Sequence, residues 1–273
     1  MKTFAFSLLA ATLLTAAPAI AEDMPSYADS TLTGNWGGMR DDWAAKGVST
    51  DITYKFDVMS NVSGGLHEGT RWLDNLDVVF GFDGEKLFGS QGTTAVFQLL
   101  NNMGGEPNGS LTGSAEGTNS IETPYDTAKI YQAFVQQNWN DDKVSLLAGL
   151  YDLNSEFYVT DAAGLFLHPA AGIGTDMAQS GENGPSIFPT TSLTARLMVQ
   201  PSDNTYVQAA ILDGVAGDPR NGNGTHAFRN LGGNDGYLLA GEAGFLTDSA
   251  NPSDKIALGG WYYTQEADDL DRK

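Results

Sequence analysis

The chain has 273 residues, 34 of them Asp or Glu against 14 Lys or Arg, for a formal net charge of -20. It contains no Cys, which excludes disulfide frameworks and thiolate metal sites. So acidic a chain offers no electrostatic footprint for a phosphate backbone, which excludes nucleic acid as a partner. Charged residues make up 18%, below the roughly 25% of soluble domains. With 33 Gly, the composition points to many turns and many strands.

Lys2 is the one positive charge at the start, followed by an apolar run through Phe4, Phe6, Leu8, Leu9, Leu13 and Leu14 and then Ala19-Ile20-Ala21 before Glu22. This is the layout of a secretory signal peptide with a small-residue cleavage site. Residues 1–21 are therefore read as a removed leader, with the mature chain starting at Glu22. The next segment, 22–47, is read as periplasmic. Trp36, Met39 and Trp43 recur there at helical spacing, and Gly47 is placed as a stop. One short amphipathic helix is expected over Asn35 to Gly47, its tryptophans capping a core.

After Gly47 the period changes to two. Ile52, Tyr54, Phe56 and Val58 alternate with Asp51, Thr53, Lys55 and Asp57, which sends one apolar and one polar row to opposite faces of a strand. Leu76, Val78, Phe80 and Phe82 likewise oppose Asn75, Asp77, Val79, Gly81 and Asp83. In Lys129 to Trp139, Tyr131, Ala133, Val135 and Trp139 oppose Ile130, Gln132, Phe134, Gln136 and Asn138. Further strands are predicted at about Gly92 to Leu100, Val144 to Tyr151, Leu193 to Gln200, Thr205 to Leu212, Tyr237 to Leu246 and Lys255 to Thr264, about nine in all.

Compact polar turns, Asn140-Asp141-Asp142-Lys143 and Ser202-Asp203-Asn204, alternate with long connections at Met103 to Pro124, Asn154 to Thr190 and Asp213 to Asp235. An all-β, antiparallel up-and-down barrel with short turns at one rim and long loops at the other gives that pattern. Periodicity alone does not say which face meets water. The leader, strands of roughly ten residues, aromatic residues near strand ends and the long loops favour a transmembrane barrel in an outer membrane. The alternative is a secreted sugar-binding β-sandwich or adhesin whose apolar row faces inward.

Catalytic signatures are missing. His67, His168 and His226 are widely spaced with no His-Glu-x-x-His arrangement, so no metal site is expected. Gly232-Gly233-Asn234-Asp235-Gly236 reads as a turn and no Gly-Lys-Ser/Thr follows a Gly-rich segment; no Gly-x-Ser-x-Gly elbow occurs. The Asp41-Asp42, Asp141-Asp142 and Asp268-Asp269 pairs are assigned to helix surface, turn and chain end, because neighbours in sequence do not signal a glycosidase separation. Asp218 to Gly224 lacks the acidic ligands and closing Glu of a calcium loop. A surface glycosidase is the least supported reading, and no enzyme activity is expected.

Several segments together carry a resemblance. Leu32-Thr33-Gly34-Asn35-Trp36-Gly37-Gly38-Met39-Arg40 is followed by Asn61-Val62-Ser63-Gly64-Gly65-Leu66, then by Asp141-Asp142-Lys143-Val144-Ser145-Leu146. Glu156-Phe157 leads to Asp161-Ala162-Ala163-Gly164-Leu165-Phe166-Leu167, and Tyr206-Val207-Gln208-Ala209-Ala210 and Gly241-Glu242-Ala243-Gly244 come later. In this order the chain resembles carbohydrate-selective porins of the OprB type. The resemblance implies an outer-membrane barrel of about sixteen strands that admits mono- or oligosaccharides by diffusion through a loop-narrowed pore, without cofactor. Outer-membrane lipid would surround it and oligomers are compatible with it. Nine strands do not close an even-numbered bacterial barrel, and Leu270-Asp271-Arg272-Lys273 is not an aromatic-ended final strand, so 48–273 is expected to be an incomplete barrel domain.

With apolar rows facing lipid, Asp77, Gln132, Arg196, Gln208 and Glu242 face the lumen, as do Lys55 and Asp57. Arg196, flanked by Ala195 and Leu197, has a rigid fork suited to sugar hydroxyls or to pairing with a carboxylate. By resemblance the segment Asn154 to Thr190 folds inward and narrows the pore, rather than lying as a surface loop. Its Phe157, Tyr158, Phe166 and Phe188 would offer apolar faces to sugar rings, and Glu156 and Asp161 would accept from hydroxyls.

Overall fold

The computed structural model describes residues 27–217, 235–247 and 255–265. The leader, the Asp218 to Gly224 segment, His226, the Asp268-Asp269 pair and the last four residues lie outside that description. Nine strands form one sheet: β1 (Val48–Asn61), β2 (Gly69–Asp83), β3 (Thr93–Gly104), β4 (Thr127–Trp139), β5 (Val144–Tyr151), β6 (Ser192–Ser202), β7 (Thr205–Asp213), β8 (Tyr237–Leu246) and β9 (Lys255–Tyr263). They are hydrogen-bonded in chain order, each antiparallel to the next. This is the up-and-down wall of a barrel, not two packed sheets, so the sandwich alternative is not what forms.

The predicted strands all appear, β5 and β8 with the predicted bounds. β1 and β2 run further than expected, to a pairing of Asn61 with Gly69. Their far ends are Ser, Asn, Gly, Thr and Arg, which lack apolar alternation but still complete the backbone ladder. The β4–β5 turn passes through Asn140, Asp141 and Asp142 with φ of 56°, 53° and 62°. Asn and Asp tolerate this left-handed backbone better than other side chains, which explains the acidic pair there.

The apolar row is exposed on β1 (Ile52, Tyr54, Phe56 and Val58), on β4 (Val135 and Trp139) and on β7 (Val207 and Ile211), while that of β2 is half-buried. On β4 the predicted phase fails at one point. Gln98 pairs with Gln132, but Leu99 pairs with Ile130, leaving Tyr131 as an extra residue. This bulge resets the period, so Tyr131 is buried and Ile130 is exposed, the reverse of the prediction.

The inner face is not uniformly polar. Phe134, Leu147 and Tyr151 form one buried cluster. Ala210, Leu212, Leu238 and Ala240 on the wall form another with Leu153, Phe157, Ile173 and Met177 of the β5–β6 loop. That long loop therefore lies against the inner face, and burying such side chains is worth about 1.5–3 kcal/mol each. The β3–β4 loop joins it, with Ser120 N–H donating to Leu167 O (2.7 Å) and Gln179 Nε2 to Ala115 O (3.0 Å).

Four short helices complete the described chain: α1 (Tyr27–Ser30), α2 (Met39–Ala45), α3 (Gly84–Phe88) and α4 (Thr175–Ala178). The expected Asn35 to Gly47 helix is a 3₁₀ turn, Trp36–Gly38, running into α2. Its tryptophans do not cap a core. Trp36 and Met39 are exposed, and the buried residue is Arg40. The guanidinium lies 3.9 Å from the Tyr27 ring centre and 4.9 Å from that of Trp36. It donates to Thr50 Oγ1 (3.1 Å), Thr50 O (2.7 Å) and Thr31 Oγ1 (3.0 Å). A cation between two rings with its donors spent anchors the segment, where apolar periodicity suggested a hydrophobic cap.

Candidate functional site

The inner row brings polar residues from seven strands, β2 to β8, into two groups. The first runs across β2, β3 and β4 beside the start of the long loop. Gln98 Nε2 donates to Asp77 Oδ1 (2.8 Å), Gln132 Nε2 donates to Gln98 Oε1 (2.7 Å), and Asp152 N–H donates to Gln132 Oε1 (3.2 Å). Each amide accepts on one side and donates on the other, so the row is a directional ladder. Asp152 also accepts from Tyr131 Oη (2.6 Å) and Asn154 N–H (2.8 Å). Burial pushes its carboxyl up to about 6, against those two bonds, which favour the ionised form.

The second group joins β4 to β8 with the loop. Arg196, on β6, points inward and is fully buried. Its Nε and Nη2 each lie 2.7 Å from a different oxygen of Glu156. Nη2 also donates to Gln136 Oε1 (2.9 Å), and Nη1 to Ser145 Oγ (2.7 Å) and Ser145 O (3.2 Å). Tyr151 Oη donates to Glu156 Oε2. The charge-assisted contact of guanidinium and carboxylate spends the fork on the loop instead of leaving it open to the lumen.

Two residues further along the loop the polarity is exchanged. Glu242 of β8 accepts the backbone N–H of Tyr158 (2.8 Å), Tyr206 Oη (2.7 Å) and Gln208 Nε2 (3.1 Å). Gln208 Nε2 also donates to Glu156 O (3.0 Å). Tyr158 has a φ of 56°, uncommon for a residue with a side chain, and the wall carboxylate holds its N–H there. Phe157, between the two carboxylate contacts, is buried in the apolar cluster.

Arg196, Glu156, Phe157, Gln208 and Glu242 thus form one assembly, while Asp77 and Gln132 belong to the ladder. Phe166 lies apart and exposed, its ring 5.8 Å from that of His168. Asp161 opens a short 3₁₀ turn, Asp161–Leu165. Sequence reasoning missed Gln98, Gln136, Ser145, Tyr151 and Tyr206. Period two from Gln208 reaches Tyr206, and the same step from Gln132 reaches Gln136. Among the described residues no three His, Asp or Glu are grouped as metal ligands.

A sequential antiparallel wall, apolar outside and lined inside by a polar ladder and an infolded loop, defines a porin-type β-barrel protein. Residues 67–273 match the carbohydrate-selective porin, OprB family, and the chain belongs to that family. The structure is similar to the high-pH structure of OprB from Pseudomonas putida, with a TM-score of 0.74 and 19% identity over 89% of this chain and 58% of that one. Its likeness to the low-pH structure of the same protein has a TM-score of 0.56 at 16% identity, over 88% of this chain and 63% of that one. The chain therefore spans less than two thirds of the length of either. No curated protein matches it.

Proposed function

We propose that this chain supplies the wall and constriction of an outer-membrane pore through which mono- or oligosaccharides diffuse, acting as a channel and not as an enzyme. The observation that carries this reading is the long loop held on the inner face by Arg196–Glu156 and Glu242–Tyr158. A loop fixed there narrows the lumen and leaves the Asp77–Gln98–Gln132 ladder beside the passage as a row of donors and acceptors for hydroxyls. Phe166, on the exposed part of the same loop, offers a ring face. In this reading 1–21 is a leader, 22–47 a periplasmic segment and 48–273 the barrel domain, with the outer apolar row in lipid.

The test is single-channel conductance of the purified chain in a planar lipid bilayer, with and without added sugars. Stable steps that mono- or disaccharides block support the proposal. Steps indifferent to every sugar at high concentration reject carbohydrate passage, and absence of steps rejects pore formation by this chain.

A further inference from the structure

Asn75 of β2, Asn102 of β3 and Thr127 of β4 are register partners and form one row across the inner wall. Their exposures are 1%, 1% and 5%. Asn102 Nδ2 donates to Ile121 O and to Asp74 O, both at 3.3 Å. The other polar atoms of the row, Asn75 Nδ2 and Oδ1, Asn102 Oδ1 and Thr127 Oγ1, are buried without a hydrogen-bond partner among the described residues. Asp77, two residues along the same face, is near the Asn75 amide without meeting it in bonding geometry.

The β3–β4 loop roofs this row. Ile121 is buried, its N–H donates to Asn119 Oδ1 (2.9 Å), and Asn119 Nδ2 donates to Asp57 Oδ2 on β1 (2.7 Å). Four buried polar atoms left unpaired carry the full cost of their desolvation, too much for a row so well enclosed to remain unserved. The composition of the set identifies what serves it. A metal cation would suit the two amide oxygens but face the Asn75 N–H groups; an anion would suit the N–H groups but face the oxygens. Turning the Asn75 amide over leaves the set mixed, and turning Asn102 over breaks its bond to Ile121.

We propose that the Asn75–Asn102–Thr127 row is a buried structural-water site that pins the β3–β4 loop to the wall. Water both donates and accepts, and buried waters typically make about three such bonds. The site is separate from the sugar passage, since its atoms are closed to the lumen.

The test is a crystal structure of the full chain in detergent at about 2 Å or better, paired with hydrogen–deuterium exchange. Isolated density at about 2.7–3.2 Å from Asn75 and from Asn102 or Thr127 supports the site. Asn75 bonded directly to Asn102 with no density between them overturns it. So does an anomalous signal at the row after a rubidium soak, which would make the occupant a cation. Thr127→Val is nearly isosteric and removes one partner, and about tenfold faster exchange at Asn119 to Glu122 is expected. Unchanged exchange overturns the pinning role. Asn75→Leu fills the row with apolar volume, and its crystal structure should show the density gone.

Discussion

Arg196 and Glu156, forty residues apart, form an ion pair in which Nη2 donates to Oε1 and Nε lies against Oε2, both at 2.7 Å, with the arginine fully buried. Removing one member of such a pair leaves an uncompensated charge, whereas replacing both by apolar side chains is often close to neutral. Arg196→Met is therefore expected to loosen the loop by about 3–5 kcal/mol, and the double variant with Glu156→Met to recover most of that loss. Limited proteolysis of the β5–β6 loop reads the effect. A single variant whose loop resists protease as the parent does would show that the pair does not hold it.

Asp152 gives the loop a pH dependence of definite sign. Its carboxyl titrates at about 6 in the folded chain because burial disfavours the charge, against an ordinary aspartate value of 3.8. The stability it contributes is present below the unfolded value and is lost as pH rises through the folded one. Between pH 4 and 7 the parent should lose on the order of 2 kcal/mol, part of the full linkage being screened where the side chain reaches solvent. Asp152→Asn should flatten that slope in thermal unfolding. A variant with the parental pH profile would remove Asp152 as the source.

Much of the wall was legible because a strand with one face in lipid or solvent must alternate, and β5 and β8 were bounded by that alternation alone. Tyr131 escaped it because a bulge costs only one residue and leaves no composition signal. α3 escaped because a five-residue helix has no period to read, although Asp83 caps it by accepting from Glu85 and Lys86 N–H and Gly89 ends it at a φ of 74°. Arg196 was placed on the inner row correctly, yet its partner was not readable. Glu156 sits in a loop, where no periodicity says which way a side chain points, and the pairing depends on how the loop lies.

Arg40 makes a third case. It is buried between Tyr27 and Trp36 and donates to both the hydroxyl and the carbonyl of Thr50, tying the N-terminal segment to the first strand. Arg40→Met should lower stability by about 2–4 kcal/mol, from charge-assisted bonds and the two ring contacts. Arg40→Lys keeps the charge but not the fork, so it should recover less than half. The midpoint of thermal unfolding followed by circular dichroism distinguishes these; equal midpoints for the parent and Arg40→Met would show that the anchor carries no weight.

The polar inner row also predicts an ion preference for the proposed pore. On β1 and β2 the same face carries Asp51, Asp57, Asp77 and Asp83 against Lys55 and Arg71, while Arg196 is neutralised by Glu156 within the wall. Carboxylates along a pore attract positive counter-ions and raise their local concentration. A weak cation preference is therefore expected from the reversal potential in a potassium chloride gradient, and an anion-selective pore would contradict it. Asp77→Asn removes one of these charges while its amide oxygen still accepts from Gln98, so the ladder survives. The variant should shift the reversal potential toward zero with sugar block changed by no more than about tenfold, since a neutral hydrogen bond to a hydroxyl is worth about 0.5–1.5 kcal/mol. A reversal potential identical to that of the parent would place Asp77 away from the ion path.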